Sequence, residues 1–262
     1  MPKVSVIIPA YNAERFVRDA VASAANQSER DIEIIVIDDC SSDGTANICR
    51  TMAESDGRIR FMQNERNSGV SATRNSGVAA AAGEYVAFLD SDDMWKPDKL
   101  ALQLALANKH PECPIFFTAS SFISSDGAPY TYTLHVPETV DFKRLLRQNI
   151  ISCSSVMARR ELLLAHPFMY DGMHEDYAVW LEILRAGTPA RGIDEALLIY
   201  RLSDGSKSSN KLHSAVMQYR VYRHIGLGVL RSLFYMPIYT LNGMKKYKGI
   251  KDSRADNMEI SK

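Results

Sequence analysis

The sequence predicts an α/β fold in which a mostly parallel sheet is flanked by helices. In the first half of the chain, short runs of apolar, β-branched residues alternate with segments whose apolar residues recur at helical spacing. The run at 32–39 is almost continuously apolar, as expected for a strand buried on both faces of a parallel sheet. Regular strand–helix alternation is typical of doubly wound sheets, so we expect this topology.

The elements of the first half follow one another in order. The first helix is predicted because Phe16, Ala20 and Ala24 recur at helical spacing. The fourth helix has Pro97 near its start, where the first turn tolerates proline. The predicted strands are 4–9, 32–39, 58–63 and 85–90, and the predicted helices are 13–27, 45–54, 69–82 and 96–109. The second half is less regular, with a strand expected at 154–157, a helix at 176–186 and a helix-prone stretch after Lys211.

The composition excludes several classes of protein. With 46% hydrophobic and 24% charged residues, the 262-residue chain is globular and forms one large domain, or one domain with an appendage. The four cysteines form no CxxC pair, which argues against a zinc site or disulfide framework and favours a reducing cytoplasm. The sequence lacks a GxGxxG loop, which disfavours a redox enzyme with a dinucleotide site. The N-terminus is predicted to be a strand and not a signal peptide.

Charge is unevenly distributed, although basic and acidic residues number 31 each. Residues 205–251 contain lysines and arginines but no Asp or Glu, so we expect this tail to have an anionic partner. Its longest uncharged stretch, 232–244, is shorter than the roughly 20 apolar residues of a membrane-spanning helix. A basic helix with apolar residues on its other face suits the surface of an anionic membrane. A terminal helix packed on the domain would show the same pattern, and the sequence leaves both possibilities open.

Polar residues follow three of the predicted strands. They are Pro9-Ala10-Tyr11-Asn12, Asp38-Asp39 and Asp90-Ser91-Asp92-Asp93. In open α/β sheets, ligands bind beyond the carboxyl ends of the strands, so we expect these residues to converge on one crevice. Three carboxylates at one strand end repel each other, and a divalent cation shared with a diphosphate would relieve this repulsion. The alternative is an acidic loop in which an Asp caps the next helix.

Three further candidates have an ordinary structural interpretation beside a functional one. Asp39 suits a hydrogen bond from the N–H of a base, although the following Asp43-Gly44 turn accounts for part of this motif. Arg74, in the first turns of a helix, suits a diphosphate but also an ordinary solvated arginine. Asp176 suits a general base but equally a charge that complements a helix dipole.

Taken together, these segments resemble glycosyltransferase family 2, an inverting family with the GT-A fold. The resemblance covers roughly residues 3–208. The matching segments are Val4 to Asn12, Val36 to Asp39 with Ser41 to Thr45, Gly83 to Asp93, Glu175-Asp176 and Tyr200-Arg201. Whole-chain similarity is to bacterial enzymes that extend O-antigen, capsule or teichuronic-type glycans on an undecaprenyl carrier. It implies a GT-A domain at 1–210, with a nucleotide-binding half at 1–110 and an acceptor-side half at 111–210. Residues 211–262 would form an amphipathic, basic helical extension.

The resemblance also implies roles for the donor-site residues. Asp39 would bind the base of a UDP-sugar, with GDP and dTDP as alternative nucleotides, and Arg74 would contact the diphosphate. Pro9, Tyr11 and Asn12 would line the nucleotide site. Many relatives have a His two residues after the Tyr-Arg pair, but here Ser203 occupies that position. Lys207 is our candidate for the missing phosphate contact.

The remaining implied roles concern the metal and the catalytic base. Asp90 and Asp92 would bind Mn²⁺ or Mg²⁺, with Asp92 the more direct ligand and Ser91 among the donor-binding residues. Asp176 would take the proton from the acceptor hydroxyl in a single in-line displacement.

The resemblance implies a lipid-linked glycan acceptor and a cytoplasmic enzyme, peripheral on the inner face of the bacterial inner membrane through its basic extension. The alternatives are an inactive nucleotide- or glycan-binding module and a sugar nucleotidyltransferase. The residues 9–12 lack the Gly-rich, basic phosphate loop usual in the latter. Nucleic acid is not an expected partner, because the acidic body would repel its phosphates.

Overall fold

The computed structural model describes residues 1–169, 172–202 and 211–259. Its strands are β1 (Val4–Ala10), β2 (Ile32–Asp38), β3 (Ile59–Gln63), β4 (Tyr85–Phe88), β5 (Met94–Trp95), β6 (Ile115–Ser124), β7 (Pro129–Leu134), β8 (Thr139–Val140), β9 (Met157–Arg159) and β10 (Ala190–Leu202). Its helices are α1 (Val17–Ala25), α2 (Thr45–Ser55), α3 (Val70–Ala80), α4 (Lys99–Lys109), α5 (Phe142–Arg147), α6 (Arg160–Ala165), α7 (Glu175–Leu184), α8 (Lys211–His224) and α9 (Val229–Glu259).

Within the described residues the strands form one ten-stranded sheet, with β3-β2-β1-β4-β9-β6-β10-β5 as its main order. The strands β3, β2, β1 and β4 are mutually parallel, whereas β9 runs antiparallel between β4 and β6. The chain fills one side of β1 with β2 and β3 and then crosses to the other side with β4. This change of direction is the topological switch point at which ligands bind in such sheets. The predicted α/β fold with a mostly parallel sheet is confirmed.

Helices cover both faces of the sheet because its central strands are apolar on both faces. All seven residues of β1 are buried. Ile8 packs in the core that includes Val17 of α1, whereas Ile7 packs in the core on the opposite face. On that second face α3 approaches closely, since a Cβ on Gly77 would lie 2.6 Å from Cγ2 of Ile7. Burial of each Val or Ile contributes about 1.5–3 kcal/mol, so the two cores hold the strand ends in a fixed relation.

Several predicted boundaries differ from the structure. The fourth helix begins at Lys99 and not at residue 96, so Pro97 lies just before the helix and not in its first turn. The first helix begins at Val17 and not at residue 13, because the chain first makes a turn in which the N–H of Ala13 donates to Thr45 Oγ1. The strand predicted at 154–157 is instead a 3₁₀ turn at Cys153–Ser155 followed by β9. The hydroxyl of Ser155 donates to the Ser152 carbonyl, and such local serine bonds compete with strand pairing.

The C-terminal helices pack on the same body as the sheet. The ring of Tyr235 in α9 lies 6.1 Å from that of Tyr222 in α8, and Tyr239 lies 5.7 Å from Tyr177 in α7. Asn242 donates to the carbonyl of Arg147, the last residue of α5. Among the described helices, none combines the length and apolar content needed to cross a bilayer.

Candidate active site

The carboxyl ends of β1, β2 and β4 meet at one edge of the sheet. Ala10 pairs with Asp38, and the N–H of Asp39 donates to the Ala10 carbonyl at 2.8 Å. On the other side of β1, the N–H of Leu89 donates to the Ile7 carbonyl at 3.0 Å. The structure therefore brings the three polar segments that follow these strands to one crevice.

The loop after β1 forms an exposed rim of this crevice. Tyr11 is 51% exposed, and an exposed aromatic ring at this position suits stacking on a flat ligand. Asn12 has a left-handed backbone with φ of 47° and fastens this loop to the loop after β2, because its side-chain oxygen accepts from the N–H of Ser42. Pro9 is buried beneath the rim as part of β1.

Asp39 is buried and organises the loop that leads into α3. Its Oδ1 accepts from Asn64 Nδ2 at 2.7 Å and from the N–H of Ser68 at 2.9 Å, and its Oδ2 accepts from the N–H of Gly69 at 2.8 Å. The predicted contact with a nucleotide base stays a prediction. A base bound here would meet the Asp39 carboxylate in an orientation that these three hydrogen-bond donors already fix.

The acidic turn after β4 divides into two groups. Asp90 and Asp92 are partly exposed to the crevice, whereas Asp93 is 1% exposed and points back into the protein. Burial, followed by the charge of Asp90, raises the pKa of Asp92 to about 6. Burial and the neighbouring carboxylates also raise the pKa of Asp93. Ser91 lies between the two crevice carboxylates.

The crevice carboxylates suit a hard divalent cation. Within the described ranges, no three His, Cys, Asp or Glu side chains are grouped so as to enclose a metal. Magnesium commonly binds through one or two carboxylates and lets substrate phosphates complete its shell. Asp90 and Asp92 fit this mode, because a cation would offset both the burial of Asp92 and the charge of Asp90, which together raise the pKa of Asp92.

Arg74 connects the acidic turn to α7. Its guanidinium, 5% exposed, lies 2.7 Å from Asp90 Oδ1 and 2.9 Å from Glu175 Oε1. It also lies over the ring of Phe168, 5.5 Å from the centroid. The predicted diphosphate contact of Arg74 stays a prediction. What the structure shows is an arginine engaged by two carboxylates and nearly closed to solvent.

Asp176 lies at the start of α7, next to this ion-pair network. Burial and then the charge of Glu175 raise its pKa to about 7, while Arg74 opposes the rise. Its Oδ1 accepts from the N–H of Tyr177 at 2.7 Å. A carboxyl with a pKa near neutrality can accept a proton at one step and release it afterwards, as a general base requires.

The sequence interpretation missed several supporting residues. Glu175 pairs with Arg74, and Ser154 Oγ accepts from the N–H of Asp90 at 3.1 Å. Arg201 donates from Nε to the carbonyl of Asp92 at 2.9 Å. Only Arg201 and Glu175 carried a signal, as members of the Tyr-Arg and Glu-Asp pairs. The candidate Lys207 lies outside the described residues.

Known proteins of similar sequence align with most of this chain. The family model described as Glycosyl transferase family 2 matches residues 5–164. TuaG of Bacillus subtilis (strain 168), a glycosyltransferase named for teichuronic acid biosynthesis, is 39% identical over 94% of this chain and 97% of its own length. WfaP of Escherichia coli, a UDP-Glc:alpha-D-GlcNAc-diphosphoundecaprenol beta-1,3-glucosyltransferase, is 33% identical over 94% of this chain and 96% of its own length.

Solved structures share the fold. TarS 1–349 of S. aureus in complex with UDP-GlcNAc has a TM-score of 0.72 at 22% identity, covering 89% of this chain and 70% of that one. The mannosyltransferase PcManGT from Pyrobaculum calidifontis, in complex with GDP-Man and Mn²⁺, has a TM-score of 0.69 at 19% identity, covering 90% and 70%.

Proposed function

This chain belongs to glycosyltransferase family 2 and has the GT-A fold, and we propose that it moves a sugar from a UDP-sugar to a glycan hydroxyl with inversion at the anomeric carbon. The observation that carries the proposal is the Arg74 bridge. It ties Asp90, at the proposed cation site, to Glu175, the neighbour of the proposed base Asp176. Arg74 would therefore fix the distance between the cation site at Asp90 and the base Asp176. The donor diphosphate and the acceptor hydroxyl would meet between these two groups.

The donor would occupy the crevice beyond β1, β2 and β4. We assign nucleotide binding to residues 1–110, with the ring of Tyr11 against the base and Asp39 accepting from its N–H. The donor-site residues in this proposal are Pro9, Tyr11, Asn12, Asp39, Arg74, Asp90, Ser91 and Lys207. TarS, with its bound UDP-GlcNAc, supports a UDP-sugar as the donor class.

Asp90 and Asp92 would hold Mn²⁺ or Mg²⁺, which supplies positive charge to the diphosphate as it leaves. The likeness to PcManGT, which binds Mn²⁺, supports this assignment. Asp176 accepts the proton of the acceptor hydroxyl while the oxygen forms its bond to the anomeric carbon. The bond between that carbon and the diphosphate breaks in the same step, so the product has the opposite anomeric configuration. A covalent enzyme intermediate is not required.

For the acceptor we propose a lipid-linked saccharide, bound on the side formed by residues 111–210. WfaP, whose name specifies a diphosphoundecaprenol acceptor, supports this choice. A transfer assay with a GlcNAc-diphospho-lipid and a panel of UDP-sugars tests the proposal, because NMR of the product reports its anomeric configuration. A β-linked product from an α-linked donor is expected. A product with retained configuration would contradict the mechanism, and nucleotide binding without any turnover would favour the inactive module.

Loss of activity at low pH should follow the titration of Asp176. Its pKa near 7 means that the basic form is lost as the pH falls below 7, so kcat/KM should fall with it. Replacing Glu175 with Gln removes the nearest like charge, whereas Arg74, which lowers this pKa, remains. The acid limb of the pH–rate profile should therefore move to lower pH in Glu175→Gln.

The matched control is Glu182→Gln, on the same helix, where Glu182 instead pairs with His224. Its pH profile should match the wild type. An acid limb that stays in place in Glu175→Gln, or moves to higher pH, would contradict the role assigned to Asp176.

The C-terminal extension, 211–262, would dock on the inner face of the bacterial inner membrane. The helix α9 packs on β7, α5 and α8. It also carries exposed apolar residues, which are Val229, Leu230, Leu233, Phe234, Leu241 and Met244. Residues 205–251 carry no acidic side chain to repel anionic lipids. Basic charge beside an apolar helix face is the pattern of interfacial binding.

Vesicle flotation tests this docking. The wild-type chain should float with phosphatidylglycerol vesicles and much less with phosphatidylcholine ones. The triple variant Leu230→Ser, Leu233→Ser, Phe234→Ser should bind at least about 10-fold more weakly, since each buried CH₂ contributes about 0.8 kcal/mol. Leu164→Ser with Met169→Ser, two exposed apolar residues elsewhere, should leave binding unchanged. Equal flotation of the triple variant would contradict the docking, and concentration-dependent dimerisation would assign the face to a second copy.

A further inference from the structure

Arg201, the penultimate residue of β10, is buried behind the acidic turn. It is 5% exposed, and its Nε donates to the main-chain carbonyl of Asp92 at 2.9 Å. Its own N–H donates to Asp93 Oδ1, also at 2.9 Å. One residue thus holds two successive members of the turn, one through a carbonyl and the other through a carboxylate.

Other elements fix the guanidinium of Arg201 in this position. It lies over the ring of Phe16, just before α1, with 4.5 Å to the centroid. Nη1 donates to the carbonyl of Ser124 at the end of β6, at 3.5 Å. Its Nη2 forms a long ion pair with the carboxylate of Asp19, which is 3.8 Å away and 59% exposed. A planar group held on its face and its edges has little freedom to turn.

The hydrogen bonds and the ion pair of Arg201 indicate a role beyond stabilising the core. A buried cation loses its hydration, and a close carboxylate partner normally offsets that loss. Here the shortest side-chain hydrogen bond goes to a neutral carbonyl, and the ion pair with Asp19 is long and solvated, so that pair contributes little to stability. The charge of Arg201 acts instead on the carboxylate of Asp92. This arrangement suits a role in fixing the direction in which the Asp92 backbone, and with it the Asp92 carboxylate, faces the crevice.

We propose that Arg201 is a positioning residue for the donor: it holds the main chain of Asp92 so that the carboxylate points at the cation and diphosphate. This inference rests on the proposed function, since it requires a cation-dependent donor site at Asp92. The ring of Phe16, which stacks on the face of the guanidinium, contributes to the same positioning.

Calorimetric binding of UDP, measured once with Mn²⁺ and once with EDTA, separates positioning from general structural support. With Mn²⁺, Arg201→Lys should bind UDP about 10- to 100-fold more weakly, because lysine cannot reproduce the planar contact and misplacement by about 1 Å has effects of this size. With EDTA the affinity should equal that of the wild type. The kcat at saturating donor should change much less than the KM for the donor.

Two further variants keep the test decisive. Phe16→Leu removes the stacking surface but keeps the arginine, and should weaken Mn²⁺-dependent binding about 3-fold. It also replaces Arg201→Lys as the test if that variant fails to fold. Arg58→Lys is the matched control, because Arg58 is a partly buried arginine that donates to Asp56 and to the Ala25 carbonyl, away from the crevice. It should bind UDP as the wild type does.

Wild-type affinity in Arg201→Lys with Mn²⁺ would overturn the inference alone. Equal losses with Mn²⁺ and with EDTA would also overturn it, because they indicate general damage to the site. Absence of Mn²⁺-dependent UDP binding in the wild type would be a different result. It would overturn the proposed function and this inference with it.

Discussion

Replacing Asp176 with Asn is expected to lower kcat about 1,000-fold, within the range of about 10²–10⁴ for the loss of a general base. Asn has nearly the same size but cannot accept the proton of the acceptor hydroxyl. Its amide leaves the Arg74 ion pairs with Asp90 and Glu175 in place, so donor affinity should change little. Steady-state kinetics with a saturating acceptor measures the effect, and the residual rate should lose its dependence on a group with a pKa near 7.

A control distinguishes this loss from a general effect of removing a carboxylate. Asp98 is exposed and makes no side-chain cap to α4, so Asp98→Asn makes the same chemical change away from the crevice. Its kcat should stay within about 2-fold of the wild type, as expected for a surface substitution. A kcat for Asp176→Asn within 10-fold of the wild type would contradict its assignment as the base.

Replacing Arg74 with Met is expected to lower the free energy of unfolding by about 3 kcal/mol, since removing one member of a buried ion pair leaves charges without a partner. Here the charges left behind are Asp90 and Glu175, beside Asp176. Met replaces the contact between the guanidinium and the Phe168 ring with a favourable contact between its sulfur and that ring. Urea denaturation gives the size of the effect, and Mn²⁺ should restore part of the stability because a cation at Asp90 replaces some of the lost charge.

Arg60→Met is the comparison, because Arg60 pairs with Glu33 at the surface and its side chain is 51% exposed. Exposed pairs contribute about 0–1 kcal/mol, so this variant should unfold almost as the wild type does. If Arg74→Met were as stable as Arg60→Met, the guanidinium would not hold the site together. A free diphosphate ligand would then be the better description of Arg74.

The first half of the fold could be predicted because its signals are local. The strands β1 to β4 are runs of apolar residues long enough to be recognised without neighbours, and the helices between them have apolar faces of helical period. In the second half, β5 and β8 have two residues each and show no pattern. The 13-residue β10 contains a bulged, partly polar stretch between Ile193 and Leu198, so neither alternation nor a continuous apolar run marks it.

The site could be predicted where it depends on strand ends, and not where it depends on long-range partners. The carboxyl ends of parallel strands meet whatever the loops contain, which is why Asp39 and the acidic turn were expected to share a crevice. The partners of Arg74 are 16 and 101 residues away, and Arg201 meets the turn across 109 residues. Spacing within a sequence window does not reveal such contacts. For Arg74 it allowed a solvated arginine or a phosphate ligand, and the structure shows a buried link.

Calorimetric titration of UDP, GDP and dTDP into the wild-type chain and Asp92→Asn, each with and without Mn²⁺, is the decisive measurement for a cation-assisted donor site. We expect UDP to bind with Mn²⁺ and Asp92→Asn to lose at least about 100-fold of this affinity, equivalent to about 2.8 kcal/mol. Without metal, both proteins should bind UDP weakly and with the same affinity. UDP binding that is equally tight with and without Mn²⁺, or Mn²⁺-dependent binding that is undiminished in Asp92→Asn, would contradict a cation-assisted donor site at the carboxyl end of β4.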